Sequence, residues 1–284
     1  MMLPLAYWVH DVNPVILQVW GPLALRWYGV AYVSGFIAFW LLFRYYQKKG
    51  ITALTPADTE SLFNWGIVGV LVGGRLGFVL FYDLPYYLDH PLSVFNVTAG
   101  GMSFHGGLLG VIAAMFFVTR KRGISLFEVS DLAATAVIPG LFFGRLANFI
   151  NGELWGKPAE VAWAVIFPKA PWDPHAFSVF SEYLGNYVNP RHPSQLYEAL
   201  LEGVLLFSWL QFRLWKQARH QVKAALSAEF LIGYALARII SEQFREPDAA
   251  LILGLSRGTF YSLAMLLAGF AFLCYTHRKT KRLP

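Results

Sequence analysis

The chain has 284 residues, of which 56% are hydrophobic and 14% are charged, with a formal net charge of +6. Soluble domains carry about 25% charged residues, so this composition excludes an ordinary soluble protein. The single cysteine, Cys274, excludes an internal disulfide and a cysteine-based metal cluster. The positive charge does not indicate nucleic acid binding, because the basic residues gather at the ends of apolar blocks, as in membrane proteins.

The apolar blocks have the length that crosses a hydrocarbon core about 30 Å thick. Seven of them are predicted to span as helices, at residues 20–43, 60–81, 104–119, 126–146, 194–214, 225–243 and 258–276. The predicted fold is therefore an all-α polytopic membrane protein, with residues 1–284 forming a single integral membrane domain. The N-terminal residues lack the basic start and apolar core of a removable signal peptide.

The lysines and arginines predict the orientation of the spans. Of the 23 basic residues, 14 follow the first, third, fifth or seventh span. They are Arg44, Lys48, Lys49, Arg120, Lys121, Arg122, Arg213, Lys216, Arg219, Lys223, Arg278, Lys279, Lys281 and Arg282. Because cytoplasmic loops are enriched in Lys and Arg, we expect the N-terminus outside and the C-terminus in the cytoplasm. Residues 147–193 then lie outside and are predicted to form a small cap.

Polar residues inside the predicted spans concentrate in their outer halves. They are Arg75, His105, Arg145, Gln195, Glu198, Glu202, Arg238 and Glu242. Ionisable residues are costly in a membrane, so each is a functional candidate. Their one-sided distribution predicts a site that faces the outer leaflet above an apolar floor.

The stretch GRLANFINGELWG, residues 144–156, combines an arginine with amides and a carboxylate. Arg145 and Asn148 share a helix face because they are three residues apart. The planar fork of an arginine suits a phosphate, although an arginine at a span end also snorkels to the interface. The nearby Asn148, Asn151 and Glu153 favour a ligand site.

The stretch GYALARIISEQFREPD, residues 233–248, places Tyr234, Arg238, Glu242 and Arg245 on one polar stripe of an apolar helix. A structural Arg238–Glu242 ion pair is the alternative to a ligand site, and one guanidinium can serve both purposes.

The stretch HPSQLYEALLEG, residues 192–203, is typical of a helix start with Pro193 in its first turn. Its Gln195, Glu198 and Glu202 are either partners of the arginines or polar caps of the helix end.

His105 lies between two glycine pairs in GGMSFHGGLLG, residues 100–110. A lone histidine is usually a satisfied core residue. Here the surrounding glycines suggest that something approaches closely. Its ordinary pKa of about 6.5 suits proton abstraction from a thiol with a pKa of about 8.5. We therefore predict a catalytic or ligand-contacting role.

These blocks occur together, and in the same order, in one known family. In chain order they are RWYGVAY, GGRLGFVLFYD, GGMSFHGG, GRLANFINGELWG, HPSQLYEA and ARIISEQFREPD. Nearly the whole chain resembles the prolipoprotein diacylglyceryl transferases of the bacterial inner membrane. The fourth block matches the signature Gly-Arg-x-Gly-Asn-Phe-x-Asn-x-Glu-x-x-Gly except at Ala147, where glycine is usual. Alanine is nearly as small, so we expect a slightly looser helix approach and retained function.

The resemblance implies a reaction without cofactor or metal, at the periplasmic face of the membrane. The diacylglyceryl group of phosphatidylglycerol passes to the lipobox cysteine of a prolipoprotein signal peptide, and glycerol 1-phosphate leaves. By the same resemblance, the catalytic residues are His105, Arg145 and Arg238. Arg145 also binds the lipid, and further substrate-binding positions are Tyr28, Asn148, Asn151, Glu153, Gly156, Tyr234 and Glu242.

Two points stay open at the level of sequence. His105 either takes the thiol proton or orients the headgroup, since nearby arginines can themselves lower a thiol pKa. The rival functions are a transporter or channel for an anionic solute and a structural membrane scaffold. The polar residues lie only in the outer halves of the spans, so they form no continuous path across the membrane. The sequence also shows no paired broken helices. Both observations argue against a transporter. A scaffold does not explain the cluster of arginines and histidine.

Overall fold

A computed structural model describes residues 7–21, 23–96, 100–217 and 224–280, and the chain is mostly helical. The helices are α1 (Trp27–Lys48), α2 (Pro56–Tyr82), α3 (Leu84–Asp89), α4 (Phe104–Arg122), α5 (Leu126–Ala136), α6 (Ile138–Asn151), α7 (Ser194–Glu198), α8 (Leu206–Gln217), α9 (Ala225–Glu242) and α10 (Arg257–Thr280). A 3-10 turn covers Pro91–Phe95, and a π-helical segment, Ala199–Leu205, joins α7 to α8. The strands are β1 (Trp8–Val9), β2 (Val15–Trp20), β3 (Leu23–Arg26), β4 (Val165–Ile166), β5 (Val179–Ser181) and β6 (Asn186–Val188).

Four helical stretches in the described residues are long and apolar enough to cross a membrane. They are Trp27–Lys48, Pro56–Tyr82, Leu126–Asn151 and Arg257–Thr276. Helices also occupy the remaining predicted spans at 104–119, 194–214 and 225–243. The coarse prediction of a helical membrane protein is therefore confirmed, whereas the number of spans and their orientation stay predictions.

The first predicted span, 20–43, begins too early. Strands β2 (Val15–Trp20) and β3 (Leu23–Arg26) instead pair antiparallel as a hairpin, and Gly21 after β2 has a φ of +52°. Hydropathy cannot separate an apolar hairpin from the helix that follows it, because both are rich in the same residues. The helix starts at Trp27, so Tyr28 lies in its first turn.

The fourth predicted span, 126–146, is divided and extended. Helix α5 ends at Ala136, and α6 runs from Ile138 to Asn151 with Pro139 in its first turn. A proline lacks the N–H that a continuous helix would need. The extension brings Asn148 and Asn151 into the helix.

The prediction of an all-α fold needs a correction outside the helices. In the predicted cap, β5 pairs antiparallel with β6, and β4 pairs in parallel with the N-terminal β1. The buried Arg191 braces this segment. Its guanidinium donates to the carbonyls of Gly156 at 3.1 Å and Pro171 at 2.7 Å. Such short strands carry no alternation long enough to predict from sequence.

The chain divides into two compact units. The first unit comprises Met1–Phe39 and Ala133–Pro284, and the second comprises Trp40–Leu132.

In the second unit, helices α2 and α4 touch along their backbones through glycines. A Cβ added at Gly69 would lie 2.6 Å from the carbonyl oxygen of Gly110, and one at Gly77 would lie 2.6 Å from Cα of Gly106. Small residues permit this close approach between membrane helices. The glycines that follow His105 thus serve helix packing, and what approaches them is α2.

In the first unit, α6 packs against the π-helical segment, and α9 packs against α10. A Cβ at Gly203 would lie 2.9 Å from Cβ of Phe142, and one at Gly269 would lie 2.8 Å from Ile232. Helix α9 also packs against the π-helical segment, so the polar residues of α6, this segment and α9 come together.

Candidate active site

Three arginines and three glutamates form one buried network in the first unit, here called the arginine–glutamate cluster. Its members are Arg145 on α6, Glu198 at the end of α7, Glu202 in the π-helical segment, Arg238 and Glu242 on α9, and Arg245 just after α9. Buried charges are tolerated when they are paired, and each of these charges has a partner of opposite sign.

Glu198 is the centre of the cluster. Its Oε2 lies 2.7 Å from Nη1 of Arg145, and its Oε1 lies 2.9 Å from Nη1 of Arg238 and 3.0 Å from Nη1 of Arg245. The carboxylate is completely buried. One carboxylate thus holds three guanidinium groups around it.

Glu202 and Glu242 complete the pairing. Nε and Nη2 of Arg145 donate to the same Glu202 oxygen, Oε2, at 3.1 and 2.9 Å. Arg238 pairs with Glu242 one turn further along α9, and its Nη1 also lies 3.4 Å from Glu202 Oε1. The interpretation of Glu198 and Glu202 as partners of the arginines is confirmed, and the Arg238–Glu242 pair of the structural alternative is also present.

Gln195 does not join the cluster. Its Nε2 donates to the backbone carbonyl of Glu153 at 2.6 Å, so it holds the turn after α6. Sequence spacing alone placed Gln195 on the same helix face as Glu198. It could not show that Gln195 binds the turn after α6 whereas Glu198 pairs with the arginines.

Two of the three arginines keep an open edge. The side chains of Arg145 and Arg238 are 17% and 13% exposed, compared with 5% for Arg245 and 0% for Glu198. Two of the five N–H groups of Arg145 donate to Glu202, and its Nη1 lies 2.7 Å from Glu198 Oε2. The cluster therefore presents guanidinium N–H groups to a ligand while its carboxylates lie behind them.

The π-helical segment that carries Glu202 is a feature that sequence reasoning missed. Segments of this kind are rare and often occur at functional sites. The residues ALLEGVL would also suit an ordinary α-helix, so the sequence contains no signal for it.

A second polar group forms around Asn148 at the end of α6. Its Nδ2 donates to the hydroxyl of Tyr28 at 3.2 Å and to Oε1 of Glu153 at 2.8 Å. Asn151 Nδ2 lies 3.5 Å from the same glutamate oxygen. Gly152 ends the helix with a φ of +62°, and this reversal brings Glu153 back to Asn148. The structure thus brings four of the predicted residues together.

Gly156 is a point of backbone contact. Its N–H donates to the carbonyl of His192 at 3.0 Å, and a Cβ there would lie 2.7 Å from the carbonyl oxygen of Phe244. It also forms an isolated bridge with Arg245. Close packing explains the glycine, and its assignment to substrate binding stays a prediction.

Tyr234 lies on α9, one turn before Arg238, within electrostatic range of Arg145 and Glu202. This places it beside the cluster, in agreement with the polar stripe predicted for residues 233–248.

His105 lies in the second unit, in the first turn of α4. Ser103 caps this helix, because its Oγ accepts from the Gly106 N–H at 3.2 Å. The side chain of His105 is exposed, so the alternative of a buried core histidine does not hold. Its pairing with the arginine–glutamate cluster stays a proposal.

Arg75, also in the second unit, differs from the arginines of the cluster. It is 5% exposed, and each of its five N–H groups donates to a backbone carbonyl. Its five N–H groups are therefore used by the backbone, and a functional role for Arg75 stays a prediction.

The described residues contain no group of three or more His, Cys, Asp or Glu side chains arranged to hold a metal ion.

Comparison with known proteins identifies the family. The family model for prolipoprotein diacylglyceryl transferase matches residues 14–275. A phosphatidylglycerol–prolipoprotein diacylglyceryl transferase of Idiomarina loihiensis is 46% identical over 282 residues, which cover 98% of this chain and 97% of the relative. Proteins of the same name from Rhodospirillum centenum and Bordetella avium are 46% and 45% identical, over 92% and 96% of this chain and 91% and 97% of their own lengths. The chain therefore belongs to the prolipoprotein diacylglyceryl transferase family.

Proposed function

We propose that the protein transfers the sn-1,2-diacylglyceryl group of phosphatidylglycerol to the lipobox cysteine of a prolipoprotein signal peptide. Its family and the names of its relatives support this activity. The observation that carries the proposal is the pair of partly exposed guanidinium groups, Arg145 and Arg238, held by buried glutamates. The relatives compared above are transferases, so the transporter alternative has no support.

The reaction forms one C–S bond and breaks two bonds, the cysteine S–H, whose proton passes to a base or to water, and a C–O bond of the lipid. The cysteine sulfur bonds to the terminal glyceryl carbon, and the bond from that carbon to the phosphate oxygen breaks. The electron pair leaves with that oxygen, so glycerol 1-phosphate departs and a thioether remains. Negative charge thus develops on the phosphate as the bond breaks.

Arg145 and Arg238 hold the phosphate in this proposal. Donors fixed before the reaction stabilise developing charge without having to reorganise. The buried carboxylates of Glu198 and Glu202 fix both guanidinium groups from behind, which leaves the open edges for phosphate oxygens.

The group around Asn148 orients the substrate beside the phosphate. Tyr28, Asn148, Asn151 and Glu153 offer hydroxyl, amide and carboxylate groups that match the glycerol hydroxyls of the headgroup. Tyr234 lies near both arginines, and Glu242 pairs with Arg238.

His105 takes the thiol proton or orients the headgroup. The pH–rate profile of His105→Gln separates these roles. If the residual activity keeps the wild-type profile, His105 is not the titrating base. If the variant loses the pH-dependent rise in rate that wild type shows, His105 is the base that takes the thiol proton.

The membrane arrangement proposed for this activity has seven spans in the bacterial inner membrane, with the N-terminus outside and the site toward the periplasm. The four helical stretches apolar enough to cross support the coarse picture. Among the basic residues used for orientation, Arg219, Lys223, Lys281 and Arg282 lie outside the described residues, and the side chains of Arg278 and Lys279 are not described. Reporter fusions after residues 50 and 123 test the orientation, and periplasmic signals from both would overturn it.

Within residues 147–193, the stretch 157–191 contacts the signal peptide in this proposal. Its β5–β6 hairpin presents the exposed aromatic residues Phe180, Tyr183 and Tyr187. Because Tyr183 is 71% exposed, Tyr183→Ser tests the contact without disturbing the fold. We expect a raised KM for the peptide at unchanged kcat. An unchanged KM would remove the hairpin from the binding surface.

The first experiment uses purified protein in phosphatidylglycerol liposomes with a lipobox peptide that carries one cysteine. Mass spectrometry detects the diacylglyceryl adduct for wild type, Arg145→Ala and His105→Gln side by side. We expect an adduct with wild type and a loss with Arg145→Ala at intact folding. No adduct from folded wild type would overturn the proposed function.

A further inference from the structure

The guanidinium of Arg75 joins backbone carbonyls on both sides of residues 97–99. Nε donates to Val94 at 2.7 Å. Nη2 donates to Ser93 at 2.7 Å and Asn96 at 2.9 Å. Nη1 donates to Gly100 at 2.6 Å and Gly101 at 3.0 Å. An arginine has five N–H donors, so all of them are engaged.

The charge of Arg75 is balanced by carbonyl dipoles and one ring. No carboxylate in the described part of the chain lies within 4.0 Å of it, and the ring of Tyr87 lies 5.3 Å from its Cζ. A buried charge is stable only when its hydrogen-bonding groups are satisfied. The five carbonyls meet that need, and the saturated guanidinium has no donor left for a phosphate.

The contacts continue from Arg75 to the start of α4. Gly100 and Gly101 have φ angles of +86° and +84°, which turn both carbonyls toward Nη1. Two residues later, the N–H of Ser103 donates to the carbonyl of Gly74 at 2.8 Å, and Ser103 caps the helix whose first turn carries His105. Adjacent residues of α2, Gly74 and Arg75, thus hold the segment just before His105.

We propose that Arg75 is a positioning residue for His105. It fixes five backbone carbonyls, those of Ser93, Val94, Asn96, Gly100 and Gly101, and this sets the start of α4 and the place of the imidazole. The inference rests on the proposed function, because His105 has its catalytic role there. Arg75 itself does not contact the substrate.

Two glycine variants test this contact from the loop side. Gly101→Ala and Gly100→Ala both place a side chain at a positive φ, which is strained for any L-residue. At Gly101 the added Cβ would also lie 2.9 Å from Nη1 of Arg75 and 2.7 Å from the Phe78 ring, whereas at Gly100 nothing lies within 4 Å. The difference between the two variants isolates the contact with the guanidinium and the Phe78 ring.

Arg75→Lys tests the same contact from the side of the charge, because a lysine keeps the charge but offers three donors instead of five. The matched control is Arg122→Lys at the opposite end of α4, where the arginine makes one ion pair with Asp58 at 2.8 Å. Arg122 is separated from His105 by about 25 Å of helix.

The kinetic readout separates positioning from loss of fold. For folded protein, we expect Arg75→Lys and Gly101→Ala to lower kcat roughly 10- to 100-fold, since small displacements of a catalytic group have effects of this size. The KM for phosphatidylglycerol stays within about twofold, because Arg145 and Arg238 hold the lipid. Arg122→Lys stays near wild type, and Gly100→Ala, which has the backbone strain without the added contact, lowers kcat less than Gly101→Ala. A wild-type kcat for Gly101→Ala, or a raised KM at unchanged kcat, would overturn the proposal.

Hydrogen exchange tests the arrangement without any turnover. In Arg75→Lys and Gly101→Ala, we expect faster exchange of the amides of residues 101–107 and unchanged exchange of residues 110–118. Hydrogen exchange does not depend on the reaction. If wild type forms no adduct, that outcome therefore counts against the proposed function and not against the positioning role of Arg75. Unchanged exchange at 101–107 in both variants would overturn the positioning role. If Arg75→Lys does not fold, the two glycine variants decide.

Discussion

Arg145 binds one oxygen of Glu202 through two nitrogens. Its Nε and Nη2 both donate to Oε2, at 3.1 and 2.9 Å. A third nitrogen, Nη1, lies 2.7 Å from Glu198. This arrangement fixes the plane of the guanidinium as well as its position, and a lysine cannot reproduce it.

Arg145→Lys should therefore lose most activity although it keeps the charge. We expect a decrease in kcat of roughly 100-fold, as for removal of a fixed donor from a developing anion. The matched control is Arg213→Lys, because Arg213 binds Glu229 through Nε and Nη2 at 2.6 to 3.0 Å on α8, outside the cluster. We expect that control to stay within about twofold of wild type. Adduct formation followed by mass spectrometry measures both, and equal rates for the two variants would contradict the assignment of Arg145.

Glu198→Gln should destabilise the fold more than any exposed charge change. It removes the completely buried carboxylate shared by Arg145, Arg238 and Arg245. Breaking a buried ion pair leaves uncompensated charge and costs about 3–5 kcal/mol. The control is Asp248→Asn, which removes the 58% exposed partner of the same Arg245, with an expected cost of about 0–1 kcal/mol. Thermal unfolding in lipid nanodiscs compares the two, and equal effects would show that burial of Glu198 is unimportant.

Gly73→Ala should separate α2 from α4. The added Cβ would lie 2.9 Å from Cα of Gly110, so the helices must move apart. Overpacking of this kind costs about 1–3 kcal/mol. Gly66→Ala on the same helix is the control, because nothing lies within 4 Å of its Cβ position, and alanine gains up to about 1 kcal/mol in helix propensity. If both variants unfold at the same temperature, the glycine contact does not hold the second unit together.

His192 should make stability fall in mild acid. Burial, helped by the positive charge of Lys157, lowers the pKa of this histidine in the folded protein. The unfolded chain then binds protons more readily than the folded one, so stability rises with pH. The contribution is complete above the unfolded value of about 6.5 and decreases as the pH falls toward the lowered folded pKa.

Unfolding temperatures between pH 5 and 8 test this, with His192→Asn expected to flatten part of the acid loss. His175→Asn is the control, because His175 is exposed. An unchanged slope in His192→Asn would exclude His192 as the cause.

Local spacing predicted some of these contacts and could not predict others. Arg238 and Glu242 lie one turn apart on a single helix, so their pairing follows from sequence alone. Arg145 and Glu202 are 57 residues apart and meet because α6 packs against the π-helical segment, which no local pattern encodes.

Arg75 and the glycines near His105 illustrate the same limit. The sequence identifies a charge in a span and a ring of small residues, and both suggest a ligand. In the structure, the guanidinium of Arg75 donates to backbone carbonyls, and the glycines after His105 pack against helix α2. A residue's partner depends on the tertiary fold, so residue type alone could not separate Arg75 from Arg145.

The balance of charges in the arginine–glutamate cluster bears on what happens after the chemistry. Phosphatidylglycerol carries one negative charge at its phosphodiester, whereas a free phosphate monoester carries about 1.5 to 2 near neutral pH. Three unopposed arginines would hold that more highly charged product more tightly than the lipid and would delay the next cycle. With three buried glutamates behind them, the arginines offer directed hydrogen bonds but little excess positive charge. We expect the same glutamates that shape the site to favour turnover by letting glycerol 1-phosphate leave.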